Sequence, residues 1–276
     1  MPSSSAPDYV GRVLFLHGYT QNAALFHSKT LKLRKKLLSM KLKPVYLNAP
    51  ILIAQTQLNS AEELSSFDNS ETKHNCRSWT ERRLDRKYTF DLAKKTVRDY
   101  IKNGTILEGT TEDKEADSIC DRVTDAGLPI VGLVGFSQGA AFGAAMVDKF
   151  EELYNEPPLQ WAIIFSGYMF DTQLMPEHKY LYSTDGGLLL KPTRMLHVIG
   201  ELDMVVSEER SMQLYEVYEK ISTVLKHPGG HFVPNSQPFV EKVTNWINTE
   251  EAPVDQVKEE NSDLDSLLDM MKDFGG

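Results

Sequence analysis

Ile130-Val131-Gly132-Leu133-Val134-Gly135-Phe136-Ser137-Gln138-Gly139-Ala140-Ala141 decides how this chain is read. A β-branched apolar run passes into Gly-x-Ser-x-Gly, and small residues then open a helix. That order spells strand, sharp turn bearing a serine, helix. Gly135 and Gly139 suit a place where backbones pass too close for side chains, with the serine backbone under strain. Alone the pattern is weak, because about one chain in ten of this length carries it by chance. Its weight rests on whether the chain also supplies a base, an acid and an oxyanion site in a workable order.

Working outward, Arg12 to Leu16 reads as a first strand that runs into the loop His17-Gly18-Tyr19-Thr20-Gln21-Asn22. One helix is expected from Ala23 to Met40, with a solvated basic face at Lys29, Lys32, Arg34, Lys35 and Lys36. Pro44 to Asn48 reads as a second strand. The connection 51–86 has poor periodicity, with Trp79 within it, and a link this long in a compact domain is a functional loop or lid. A helix follows over Tyr88 to Asn103, capped by Gly104, then an acidic surface insertion at 105–117 and a short helix at 116–126. Beyond the serine, strands at Gln160–Ser166, Thr193–Ile199 and Ser222–Lys226 alternate with helical stretches. This alternation predicts an α/β fold, a doubly wound, mostly parallel sheet of about six strands flanked by helices. The domain is expected over 11–249, between a polar N-terminal extension (1–10) and an acidic, disordered tail (250–276).

The 276 residues suit one sizeable domain. The net charge is -9, and the tail, with nine acidic and two basic residues, holds most of it. The near-neutral body argues against a nucleic-acid partner. Cys76 and Cys120 form neither a disulfide framework nor a zinc-ligand spacing, and fit a reducing compartment. The N-terminus lacks a basic and apolar signal pattern, and no apolar run is long enough to span a bilayer. The expectation is a cytoplasmic protein, with the nucleus as a second compartment. Leu264, Leu267, Leu268 and Met271 fall at helical spacing in the tail, so a weak partner contact there is a second reading of it.

Functional groups of an α/β sheet gather beyond the carboxyl ends of its strands. Those loops carry His17-Gly18-Tyr19, Ser137, Asp203 and His231. A serine hydroxyl is a poor nucleophile until a base takes its proton, and the base needs a carboxylate to fix its tautomer. Ser137, Asp203, His231 is the nucleophile–acid–histidine order of α/β-hydrolases. His231 is favoured over His227, because it follows Gly229-Gly230, where a turn can bring it back over the serine. Asp203 is favoured over Glu201 because it lies further into its loop, and Asp185 is a distant third. His27, His74 and His178 read as surface residues and His197 as a core histidine. The oxyanion needs two N–H donors, expected from the backbone of Gln138 and of Tyr19. Phe136, Trp79, Met204 and Phe232, with Tyr19, are the candidate substrate contacts. No His, Asp and Glu cluster has metal-ligand spacing, so neither metal nor cofactor is expected.

Leu14-Phe15-Leu16-His17-Gly18-Tyr19-Thr20-Gln21-Asn22, Leu47-Asn48-Ala49-Pro50, Val134-Gly135-Phe136-Ser137-Gln138-Gly139-Ala140-Ala141, Gly200-Glu201-Leu202-Asp203 and His227-Pro228-Gly229-Gly230-His231-Phe232-Val233-Pro234 resemble the fungal FSH family of serine hydrolases, which includes the ovarian-cancer-associated protein 2 homologue. The resemblance runs in order from about residue 11 to 248, and its last block is the most specific. It implies an α/β-hydrolase fold, the triad Ser137, Asp203 and His231, and cofactor-free esterase activity on small-molecule acyl esters or thioesters. An acyl-protein thioesterase or lysophospholipase-like carboxylesterase shares the Gly-Phe-Ser-Gln-Gly stretch and is the alternative. A non-catalytic hydrolase-fold binding module is the alternative of another class. The longer segment from Gly104 to Gly127 and the reduced aromatic cluster around Trp79 depart from the family pattern and bear on substrate choice.

Overall fold

A computed structural model describes residues 9–54, 75–82, 88–107, 127–182 and 193–249. The N-terminal extension up to residue 8, the acidic insertion from 108, the helix expected at 116–126, the bulk of the 51–86 connection, and the tail from 250 lie outside the described residues. In chain order the elements begin with β1 (Gly11–Leu16), α1 (Ala23–Lys29), α2 (Leu31–Ser39), β2 (Leu42–Leu47), β3 (Ile51–Leu52), β4 (Arg77–Ser78), β5 (Glu81–Arg82), β6 (Tyr88–Thr89) and α3 (Asp91–Asn103). They continue with β7 (Ile130–Phe136), α4 (Gln138–Val147), α5 (Phe150–Tyr154), β8 (Trp161–Phe165), a 3-10 turn (Pro176–Tyr182), β9 (Arg194–Gly200), α6 (Glu208–Val217), β10 (Ser222–His227) and α7 (Gln237–Asn248).

Six strands form one parallel sheet in the order β10-β9-β8-β7-β1-β2. The chain starts inside the sheet at β1 and steps out to β2. It then returns to the other side of β1 for β7 and walks outward to β10. The switch point therefore lies between β1 and β7, and the crevice beyond their carboxyl ends is where such sheets hold ligands.

Two cores cover the sheet. Alternate residues of β1 enter opposite faces: Leu14 and Leu16 pack with Trp79, Phe90 and Phe142, while Val13 and Phe15 pack with Phe26, Leu37 and Val243. That two-residue period, apolar on both faces, marks a doubly covered strand. Every residue of α4 is buried. Its Ala and Gly positions let it lie close to the sheet; a Cβ at Gly143 would meet the Leu133 side chain at 2.6 Å.

The single helix expected over 23–40 is broken at Thr30 (φ -106°, ψ 22°). Its hydroxyl sits 2.8 Å from the Phe26 carbonyl and 2.6 Å from the Tyr46 hydroxyl, a side-chain bond that competes with the helix ladder. The helix expected from Tyr88 begins instead at Asp91, because Tyr88 and Thr89 pair with β5. It ends at Gly104 in the left-handed region, φ 66°, as a glycine cap allows. Among the described residues, no helix is long and apolar enough to cross a membrane.

Candidate active site

The turn from β7 to α4 places Ser137 at φ 52°, ψ -118°, a backbone conformation that costs a non-glycine residue about 1–3 kcal/mol. Two close approaches enforce it. A Cβ at Gly135 would lie 2.5 Å from the Ala140 Cα, where helix crosses strand. A Cβ at Gly139 would lie 2.2 Å from the Leu16 carbonyl oxygen. Gly139 thus makes room for the end of β1, not for its own strand.

His231 Nε2 stands 3.0 Å from Ser137 Oγ, and His231 Nδ1 stands 2.7 Å from Asp203 Oδ2. A carboxylate only accepts, so Nδ1 carries the proton and Nε2 accepts from the serine hydroxyl. Asp203 is aimed by its own loop: its Oδ1 accepts the Val205 and Val206 amides, both at 2.9 Å. Burial pushes the Asp203 carboxyl up, but the hydrogen bonds from His231 and the Val206 amide outweigh it and hold the group below its ordinary value. Phe136 packs against the His231 ring, centroids 4.8 Å apart. His227 does not join the relay; its Nδ1 accepts the Gly229 amide at 3.2 Å, inside the turn that carries His231. Glu201 is exposed, and Asp185 lies outside the described residues.

The Gln138 amide is the first of α4 and has no carbonyl to meet within the helix. Tyr19 lies on the loop after β1, the strand beside β7. Both residues line one cleft with Ser137. The loop that carries Tyr19 is fastened by distant chain. Trp79 Nε1 donates to the His17 carbonyl at 2.8 Å, and the Thr20 amide donates to the Arg77 carbonyl at 3.0 Å. The Arg77 amide donates to the Gln21 carbonyl at 3.1 Å, and Asn22 Nδ2 to the Asn75 carbonyl at 3.3 Å. His17 is itself a tie: its Nδ1–H donates to the Gly18 carbonyl at 2.8 Å and its Nε2 accepts the Ala49 amide at 3.0 Å. Only a neutral imidazole can do both. Burial lowers its pKa from 6.5 to about 3, against the pull of the Gly18 bond.

Gln138 joins the two systems. Its carboxamide oxygen accepts the Trp79 amide at 2.8 Å, and its nitrogen donates to Ser78 Oγ at 3.1 Å and Thr80 Oγ1 at 3.0 Å. The residue after the serine therefore holds the segment that holds the Tyr19 loop. No periodicity in 75–80 signalled this role; the buried Trp and Arg amid polar residues were the only trace of it.

The cleft has a volume of about 990 Å³. Its walls come from the loops after β2, β8 and β9, chiefly Ile51, Ile53, Met169, Phe170, Leu174 and Val206. The four residues expected to contact substrate beside Tyr19 are not among them. Trp79 is fully buried, stacked on Phe142 at 5.4 Å. Phe136 is buried behind His231, Met204 is 93% exposed, and Phe232 rests on the His227 ring at 5.3 Å. Sequence position put all four near the serine, and none of them lines this cleft. His178, expected at the surface, is buried. Together with Asp91 and Glu177 it offers ligand atoms within 4.8 Å of one another. Its Nε2 there accepts the Phe90 amide at 3.2 Å, so that lone pair is already used.

The serine hydrolase (FSH1) family model matches residues 8–243. Among curated relatives, "Family of serine hydrolases 3" of Saccharomyces cerevisiae is 32% identical over 287 residues, covering 96% of this chain and 97% of that protein. "Esterase OVCA2" of Danio rerio is 33% identical over 226 residues, covering 81% of this chain and 90% of that protein. The crystal structure of Zea mays acyl-protein thioesterase 2 has a TM-score of 0.49 at 16% identity, covering 90% of this chain and 95% of that one. With the family model matched across the domain that carries Ser137, Asp203 and His231, this chain belongs to the serine hydrolase (FSH1) family.

Proposed function

We propose that the chain cleaves carboxylic acyl esters, including thioesters, through an acyl-enzyme on Ser137. His231 takes the serine proton as general base and returns it to the leaving group as acid. Asp203 fixes the tautomer and stabilises the imidazolium; its carboxyl, held below the ordinary carboxylate value by hydrogen bonds that outweigh burial, is ionised at neutral pH. The backbone amides of Gln138 and Tyr19 hold the oxyanion, and water activated by His231 then releases the acid. The observation that carries this reading is the unbroken relay, 3.0 Å from Ser137 Oγ to His231 Nε2 and 2.7 Å from Nδ1 to Asp203 Oδ2. The cleft's apolar walls suit the acyl chain of a small-molecule substrate.

The test is Ser137→Ala beside wild type, with a fluorophosphonate probe and a panel of short and long acyl esters. Labelling and turnover should both vanish in the variant. Labelling that survives the change sinks the nucleophile assignment. Folded wild-type protein with no turnover across the panel would leave a hydrolase-fold binding module instead.

A further inference from the structure

Arg210, on the first turns of α6, lines the same cleft as Ser137 and is the one cation among the described residues that does. Its guanidinium lies 4.4 Å over the Tyr168 ring, and Tyr168 packs in turn on Phe170 at 5.1 Å. All three line the cleft, so one wall is a cation laid over the Tyr168 ring, which packs on Phe170 at a tilt of 57°. Such a contact fixes the guanidinium plane and leaves its edge donors available.

Among the described residues, no carboxylate is ion-paired with this guanidinium. The nearby acid Glu208 is bound to Lys226 at 2.7 Å. Asp171, also at the cleft, accepts the Gln173 amide at 2.8 Å in its own turn, and Glu81 lines the cleft without pairing with Arg210. Tyr168 does not neutralise the cation either: burial raises its hydroxyl to about 12 even with Arg210 beside it. A cation fixed on an aromatic ring, with no carboxylate partner among the described residues, is a site for an anion, and it gains most when a planar oxyanion meets its edge.

We infer that Arg210 recognises an anionic group of the substrate, a carboxylate or phosphate remote from the scissile bond, and so sets the substrate class. This rests on the proposed esterase function. The anion has two possible carriers, the far end of the acyl chain or the leaving group.

Two matched substrate pairs on the full chain test it. The first compares p-nitrophenyl hexanoate with the p-nitrophenyl monoester of hexanedioic acid, which puts a carboxylate on the acyl chain. The second compares hexanoyl-N-acetylcysteamine with hexanoyl-coenzyme A, which puts phosphates on the leaving group. Arg210→Met should lower the anionic-to-neutral ratio of kcat/KM about tenfold or more in one pair, mostly through KM. Arg210→Lys should recover part of that ratio, and the responding pair names the carrier. Ratios equal to those of wild type in both pairs overturn the inference. Binding to Ser137→Ala of monomethyl hexanedioate and of coenzyme A, each against methyl hexanoate, reads the same preference without turnover. A protein that hydrolyses neither neutral substrate refutes the esterase reading, and the binding arm still decides Arg210: a preference lost in Ser137→Ala/Arg210→Met supports it, and no preference refutes it.

Discussion

The Ser137–His231–Asp203 relay and the loop bearing Tyr19 sit beyond the carboxyl ends of strands of one sheet, yet they are held in different ways. Each member of the relay is aimed mainly by its own stretch of chain, although the Leu202 amide joins the Asp203 loop to the Gly229 carbonyl at 3.0 Å. Ser137 is set by the turn between Gly135 and Gly139, and Asp203 by the Val205 and Val206 amides. His231 follows the Gly229-Gly230 turn. The Tyr19 loop is instead fixed from outside, by Trp79, Arg77 and Asn75 from one segment and Ala49 from another. The Ser137 turn is specified chiefly by a stretch of five consecutive residues, with one contact to the β1 end. The Tyr19 loop, tied by distant residues, depends on the packing of the whole crevice.

Ser137→Ala defines the first region and should have the largest effect, roughly a thousandfold or more in kcat, with the unfolding midpoint little changed. A turnover loss of only a few fold in steady-state kinetics would break the distinction. Gly139→Ala strikes both regions at once, because its methyl would meet the Leu16 and His17 carbonyl oxygens at 2.2 and 2.3 Å. The β1 end must shift, so urea denaturation should show a loss of about 1–3 kcal/mol together with a sharp fall in kcat. Wild-type stability in that variant would mean the two backbones are less tightly apposed than described.

Trp79→Phe isolates the second region. It keeps an aromatic ring against Phe142 but removes the donor to the His17 carbonyl. The expected result is about tenfold lower kcat with KM little altered, and a stability loss of about 1–3 kcal/mol from the buried carbonyl left unpaired. Labelling of Ser137 by a fluorophosphonate should persist. Equal falls in kcat for Trp79→Phe and for a change remote from the loop would show a general loosening instead.

A different measurement separates the regions by pH. Burial holds His17 at about 3 in the folded chain, against 6.5 for the unfolded value. The unfolded state therefore takes up the proton first, so stability is full above about pH 6.5 and falls as pH drops toward 3. The slope is about 1.4 kcal/mol per pH unit for each such group. His197, also lowered to about 3 by burial, adds to it. Asp203 acts lower: its carboxyl is held below its ordinary value of 3.8, so its contribution is present above 3.8 and lost only as pH falls beneath it. Urea midpoints measured between pH 7 and pH 5 should decline, less steeply in His17→Asn, and an unchanged slope in that variant would remove His17 from the account.

The same contrast explains what could be read in advance. Gly135 to Gly139 carries its meaning in its spacing: Gly135 marks an approach within the stretch, and Gly139 marks the approach of the neighbouring β1 end. The family blocks around His17, Asp203 and His231 gave the order of the groups, and alternating strands and helices gave the sheet. The cleft was not legible. Phe136, Trp79, Met204 and Phe232 were chosen by nearness in sequence, while the walls come from 51–54, 168–175 and 205–206. Residues next to a catalytic group point to alternate sides of the chain, so neighbourhood in sequence does not say which face meets the substrate.

By itself, then, the sequence determined the family, the parallel α/β sheet, and which serine, acid and histidine follow one another on its loops, because glycine spacing and apolar period are local constraints. The tertiary structure decided how the Gln138 side chain, Trp79 and His17 are tied into one support for the Tyr19 loop, and that Arg210 faces the cleft beside Tyr168. Those depend on which distant segments the switch point between β1 and β7 brings together, and no periodicity in a single chain records that meeting.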